Sequence, residues 1–213
     1  MSFIWKRKGK ARATRAASVS STESLEDEEE TVPLQTKVYR ESNHIYFYAE
    51  VDRATVSLLN KLIREAEEYS VLTSMKLRVS TIPIWLHIFS DGGYIHAALA
   101  AVDTIQGCGV PIYSVVEGAT ASAGTIMSIA CKKRYIRPSA YMLIHQLSSE
   151  CWGKLSEIQD EYTGLTELMD KIRGMYAEKT KLSEKKLNWL LKHDLWLDAA
   201  KSIKWGLADE LYA

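Results

Sequence analysis

Twice along this chain an apolar run stops at a cluster of glycines and small residues and gives way to a helical pattern. Ile84 to Phe89 ends at Ser90-Asp91-Gly92-Gly93, after which Ile95, Ala98, Leu99, Val102 and Ile105 recur at helical spacing. Pro111 to Val116 is closed by Gly118-Ala-Thr-Ala-Ser-Ala-Gly124, and a helix of small residues is expected from about Thr125 to Cys131. A strand, a glycine turn and a helix, repeated in kind, predict a layered α/β fold built on a parallel-type sheet. Few other architectures accommodate that order.

The flanking segments agree. His44 to Ala49 has the aromatic content of a strand, and Leu58, Leu59, Leu62, Ile63 and Ala66 form a helical stripe behind Asp52, an N-cap candidate. Tyr141 to His145 is expected as a short strand after the Arg137-Pro138-Ser139 turn. Residues 154–179 form a long polar helix with one apolar stripe through Leu155, Ile158, Tyr162, Leu165, Leu168, Met169 and Ile172. Such a stripe needs a covering surface, and a neighbouring subunit would supply one. Ser183 caps a further helix through Leu191, Asp198 caps one ending at Gly206, and Ala208 to Leu211 closes the chain as a strand.

The 213 residues suit one folded domain and an extra segment, large enough to bury a core without disulfides or metal. Residues 1–35 pass from a basic arm (Lys6, Arg7, Lys8, Lys10, Arg12, Arg15) through Ser and Thr to the acidic run Glu26 to Glu30, and carry too few apolar residues to offset the entropy of ordering. They are expected to be a flexible arm or propeptide, with residues 36–213 as the folded domain. Lys+Arg and Asp+Glu balance at 27 each, and the adjacent acidic run can neutralise the basic arm locally, so nucleic-acid binding is not expected. Three cysteines without metal-ligand spacing, no export signal and no span of about 18 apolar residues point to a reduced, cytoplasmic protein outside the membrane.

Ser122 carries the most chemistry. It lies between small residues where a strand passes into a helix, so its Oγ can project from a tight turn beside helix-end N–H groups. A serine hydroxyl needs a base, and the base needs an orienting partner. His145, at the end of its short strand, is the best-placed base, with His44, His87, His96 and His193 as competitors. Acyl transfer also needs backbone N–H donors for an oxyanion, which Gly92-Gly93 and Ala123 can supply. Taken singly, each has a plainer explanation: a capping serine, a core histidine, a glycine turn.

Together the segments resemble the Clp protease proteolytic subunit. The resemblance rests on Phe89-Ser-Asp-Gly-Gly93, Gly118-Ala-Thr-Ala-Ser-Ala-Gly124, Met142-Leu-Ile-His-Gln146, and His193-Asp-Leu-Trp-Leu-Asp-Ala199 with Lys204-Trp-Gly-Leu-Ala-Asp209, in that order. It implies a β/α superhelix of the crotonase type with a protruding handle helix. It further implies Ser122 as nucleophile, His145 as base, Asp194 as orienting carboxylate, and Gly93 with Ala123 as oxyanion donors. The reaction it implies is hydrolysis of unfolded polypeptides inside stacked heptameric rings of this chain. No cofactor is implied; ATP would be used by an AAA+ unfoldase partner. The order Ser, His, Asp and Thr120 in place of the first elbow glycine separate the chain from the α/β-hydrolases.

The chain departs from the family pattern at Asp91, at Leu147, Ser149 and Glu150, and at His87 and Gly107 in the outer pocket where unfoldase loops dock, as a divergent or phage-encoded member would. Two other readings share the fold: a ring subunit without activity, and a crotonase-type enzyme acting on acyl thioesters, which needs the oxyanion glycines alone.

Overall fold

The computed structural model describes residues 37–212, so the arm expected over residues 1–35 lies outside the described residues. The elements are β1 (Val38–Glu41), β2 (His44–Phe47), α1 (Arg53–Leu77), β3 (Ile84–Ser90), α2 (Ile95–Gly107), β4 (Ile112–Ala121) and α3 (Ala123–Ala130). They continue as β5 (Lys133–Ile136), β6 (Tyr141–Leu143), α4 (Leu155–Lys179), α5 (Glu184–Leu190), β7 (Leu197–Asp198), α6 (Ala199–Lys204) and β8 (Glu210–Leu211). The three anticipated caps form: Asp52 accepts from Thr55 N–H at 2.7 Å, Ser183 from Lys186 N–H at 3.4 Å, and Asp198 from Lys201 N–H at 2.8 Å. No helix among the described residues is long and apolar enough to cross a membrane.

The sheet runs β1-β2-β3-β4-β5-β8, with β6 and β7 branching from β4. All pairs are parallel except β1 with β2 and β6 with β7. β4 is the corner of this arrangement. Ile88 pairs with Val116 but Ser90 pairs with Thr120, so β4 bulges past β3 around Gly118. Before the bulge β4 pairs with β5 through Tyr113 to Val116; after it, β4 pairs with β6 through Ala119 to Ala121. The bulge re-aims the end of β4, the usual effect of an inserted residue in a ladder. Thr120, buried, pins it by donating to Ile88 C=O at 2.9 Å.

Side chains alternate across the sheet. Ile45, Phe47, Ile84, Leu86 and Ile88 are fully buried in the core, which α1, α2 and α3 complete with Leu59, Ile63, Ala98, Ala101 and Met127. The opposite face carries rings. Tyr46 stacks on Tyr39 at 4.8 Å and on His87 at 4.5 Å, and Trp85 meets both Tyr135 and Tyr212. His87 lies among them, 3% exposed.

His44 and His87 form a relay with Glu117. His44 Nδ1 lies 2.9 Å from His87 Nε2, and His87 Nδ1 lies 3.1 Å from Glu117 Oε1, which also accepts from Arg137 at 3.1 Å. Two neutral rings satisfy these contacts: His44 donates to His87, and His87 donates to Glu117. Burial pushes both histidine pKa values below 6.5; in His87 it outweighs the pull of Glu117, and in His44 the second ring adds to it. A folded-state value below the unfolded one means that the unfolded chain takes the proton first. The relay's stability is therefore whole above about pH 6.5 and declines as pH falls from there towards the folded-state values. Thermal melts should show Tm dropping over that window, by about 2–4 °C per kcal/mol lost. His87→Gln should flatten the drop; an unchanged slope would remove the relay as its cause.

Candidate active site

Ser122 sits at the N-cap of α3 with φ 52° and ψ −123°, a left-handed conformation for a non-glycine residue. Such a backbone costs on the order of 1–3 kcal/mol and persists where its surroundings over-determine it. Here they do. Ser122 N–H donates to Leu143 C=O of β6 at 2.9 Å, and Ser122 C=O accepts from Thr125 N–H at 3.0 Å and from Thr125 Oγ1 at 2.7 Å. Thr125 Oγ1 in turn meets the hydroxyl of Tyr176, 1% exposed on α4, at 2.6 Å. The capping role that competed for Ser122 is not the one observed, since its side chain makes no cap hydrogen bond.

Gly92 presses against this turn just beyond β3 and Gly93 against Val51 and Glu50, with φ of 97° and 141°. A Cβ on Gly92 would lie 2.6 Å from Ser122 Cβ and 3.1 Å from Ala123 N; one on Gly93 would lie 2.4 Å from Val51 C=O. Only glycine fits either position. Ser90 Oγ accepts from Gly92 N–H at 3.2 Å, and the bridge to Val51 uses Gly92 C=O and Tyr94 N–H. The N–H of Gly93 is left outside those contacts, and that of Ala123 is a first-turn helix donor without an intrahelical acceptor. Ser122, Ala123 and the two glycines are thus brought together.

His145 follows β6, whose register with β4 pairs Ala121 with Leu143, so the histidine emerges beside the serine turn; its side chain is half-buried. Asp194 lies in the loop before β7. Extending the β6–β7 register, Met142 opposite Leu197, would set Asp194 across from His145, but pairing stops before that rung. Instead Leu195 N–H donates to His193 C=O at 3.1 Å, and Asp194 is exposed. Among the described residues no hydrogen bond joins Ser122 Oγ to His145, or His145 to Asp194. His193, a rival base, is occupied by Trp189: Nδ1 meets its C=O at 2.6 Å and the rings stack. His44 and His87 are held in the relay on the far side of the sheet.

The Clp protease profile matches residues 33–213. The chain belongs to the Clp protease family. Among similar proteins, ATP-dependent Clp protease proteolytic subunit 2 of Treponema denticola is 33% identical over 156 residues, 72% of this chain and 75% of that one. The proteolytic subunit of Streptococcus mutans is 32% identical over 136 residues, 62% of this chain and 69% of that one. ClpP1 of Listeria monocytogenes, 21% identical, superposes with a TM-score of 0.67 over 80% of this chain and 91% of that one. The fold is accordingly the Clp-type β/α superhelix. The handle helix expected over residues 154–179 is α4.

Sequence reasoning passed over Ser90, Thr125 and Tyr176, which hold the turn. Tyr176 was detectable: it continues the stripe one helical turn beyond Ile172. Ser90 and Thr125 carry no such signal, since small hydroxyl residues flank many glycine turns.

Proposed function

We propose that the chain is a serine endopeptidase that hydrolyses unfolded polypeptides within an assembly of its own copies. The observation that supports this most is the strained Ser122, held with φ 52° against Gly92 at the start of α3. In the reaction, Ser122 Oγ attacks the peptide carbonyl while His145 takes its proton, Asp194 steadies the imidazolium, and Gly93 and Ala123 N–H groups receive the oxyanion. His145 then protonates the leaving amine, and water hydrolyses the acyl-enzyme by the same route. None of these steps calls on a cofactor; ATP is spent by an AAA+ unfoldase that delivers the substrate. A fluorophosphonate probe should label the wild type at Ser122, and labelling elsewhere would overturn the nucleophile assignment.

The exposed, unbonded Asp194 favours a second reading, a ring subunit that is silent until assembly orders its loop. The handle supplies a contact for assembly. Leu155, Ile158 and Tyr162 are exposed on the outer half of α4, with Trp152 94% exposed before it, while Ile172 and Tyr176 are buried at its base. Stacking of heptameric rings through these outer halves would cover them. Proline at Glu167, in mid-helix, costs about 3 kcal/mol or more and breaks the handle. Glu167→Pro should yield single rings or monomers by native mass measurement; unchanged particle size would count against ring stacking through α4.

A further inference from the structure

The C=O of Ser122 and the N–H of Ala123 belong to one peptide unit, which is planar and trans, so the two groups point in opposite directions. Whatever holds the carbonyl therefore sets the direction of the donor. Ser122 C=O accepts twice, from Thr125 N–H at 3.0 Å and from Thr125 Oγ1 at 2.7 Å. With φ 52° and ψ −123°, the intrinsic preference of Ser122 works against this orientation, and the two bonds work for it.

The hydroxyls behind that carbonyl form a chain of defined polarity. A threonine carries one hydroxyl proton, and that of Thr125 goes to Ser122 C=O, so Thr125 Oγ1 accepts from the Tyr176 hydroxyl 2.6 Å away. The order is Tyr176 O–H to Thr125 Oγ1–H to Ser122 C=O, and each bond polarises the next. Tyr176 is 1% exposed, and burial pushes its phenol above the ordinary tyrosine range, so it keeps its proton and remains a donor. A phenylalanine ring would fill the same apolar site at the base of α4. Packing alone does not call for the hydroxyl.

We propose that Tyr176 is a positioning residue for catalysis: acting through Thr125, its hydroxyl fixes the Ser122–Ala123 peptide unit and so aims the Ala123 N–H at the oxyanion. The proposal rests on the serine-peptidase reading. Its effect falls on the transition state and not on bound substrate, since the oxyanion develops only during attack.

The test compares the assembled wild type with Tyr176→Phe, Thr125→Val, Thr125→Ser and the double variant Tyr176→Phe/Thr125→Val on a fluorogenic peptide. Removing an oxyanion donor outright lowers kcat by on the order of 100- to 1000-fold. A donor kept but loosely held should lower it less, by about 10-fold in Tyr176→Phe and more in Thr125→Val, with KM unchanged. Thr125→Ser retains the hydroxyl and should recover most of that loss. The double variant should be no slower than Thr125→Val, because Tyr176 acts only through Thr125. A peptide boronic acid, whose tetrahedral adduct with Ser122 places an oxygen at the oxyanion position, should lose affinity by the factor that kcat loses; a purely structural role would leave that affinity unmoved in the folded assembly. Unchanged kcat in Tyr176→Phe, a loss of kcat without the matching boronate loss, or losses that multiply in the double variant would overturn the positioning role. Fluorophosphonate labelling of wild-type Ser122 would then leave the peptidase standing. Wild type that is neither labelled nor active would overturn both.

Discussion

With Ser122 as the proposed nucleophile, Ser122→Ala is expected to lower peptide hydrolysis by on the order of a million-fold in kcat, because a nucleophile and its base act as a unit and the loss of either removes the acyl-enzyme route. Turnover of fluorogenic peptides by the assembled wild type and variant measures this. The fold should survive. Ser122 is anchored through its backbone, by Leu143 C=O on one side and Thr125 on the other, and its Oγ makes no capping bond whose loss would weaken α3. Variant and wild type should therefore melt alike. Activity retained in Ser122→Ala would mean that the strained turn serves another purpose, such as the oxyanion site of a thioester enzyme.

Asp194→Asn is expected to reduce kcat by about 10⁴-fold, the effect of leaving the base in the wrong tautomer, with little change in substrate affinity. This is the sharper test, because Asp194 is exposed and unbonded to His145 in the isolated chain. A loss of that size would mean that the loop from Leu191 to Trp196 reorganises in the working assembly. Unaltered kcat would reduce Asp194 to a surface carboxylate and favour the silent-subunit reading or a base that works without an orienting carboxylate. Thermal melts separate a catalytic loss from a structural one, since a misoriented base leaves Tm unchanged whereas loss of the fold lowers Tm together with activity.

Much of the fold was legible because its periodicities are local. The runs ending at Gly92-Gly93 and at Gly118 to Gly124 announce strand, turn and helix whatever lies beside them, and Asp52, Ser183 and Asp198 cap where side-chain chemistry predicts. Boundaries were less legible. The glycine-rich stretch expected as a turn is strand as far as Ala121, and α3 begins at Ala123 rather than Thr125. Ala119 looks like a turn residue, yet pairing with β6 overrides its weak intrinsic preference, while Gly118 keeps a φ of 56° inside the bulge. β1, β5 and β7 were missed for the same reason. Val38 to Glu41, Lys133 to Ile136 and Leu197 to Asp198 are short and partly polar, and their partners make them strands.

His87 shows the limit from the other side. Its ring stacks on Tyr46 and bonds to Glu117, which lies 30 residues away on β4, and no local pattern announces the second contact. Arg134 is a second case: it binds Asp209 through Nε and Nη2 and the carbonyls of Lys179 and Gly206 through Nη1, joining the ends of α4 and α6 to β8. Nothing in its neighbourhood along the chain marks it.

By itself the sequence determined the strand–turn–helix order, the helix caps and the glycines against which Ser122 is set, because each depends on residues within one or two turns of chain. The bulge that divides β4 between two neighbours, the pairing of β6 that brings the histidine strand alongside the Ser122 turn, and the exposure of Asp194 were decided only by tertiary structure. Each depends on groups brought together across distant chain segments, and the free energy that holds them there comes from packing and hydrogen bonds that no local pattern encodes.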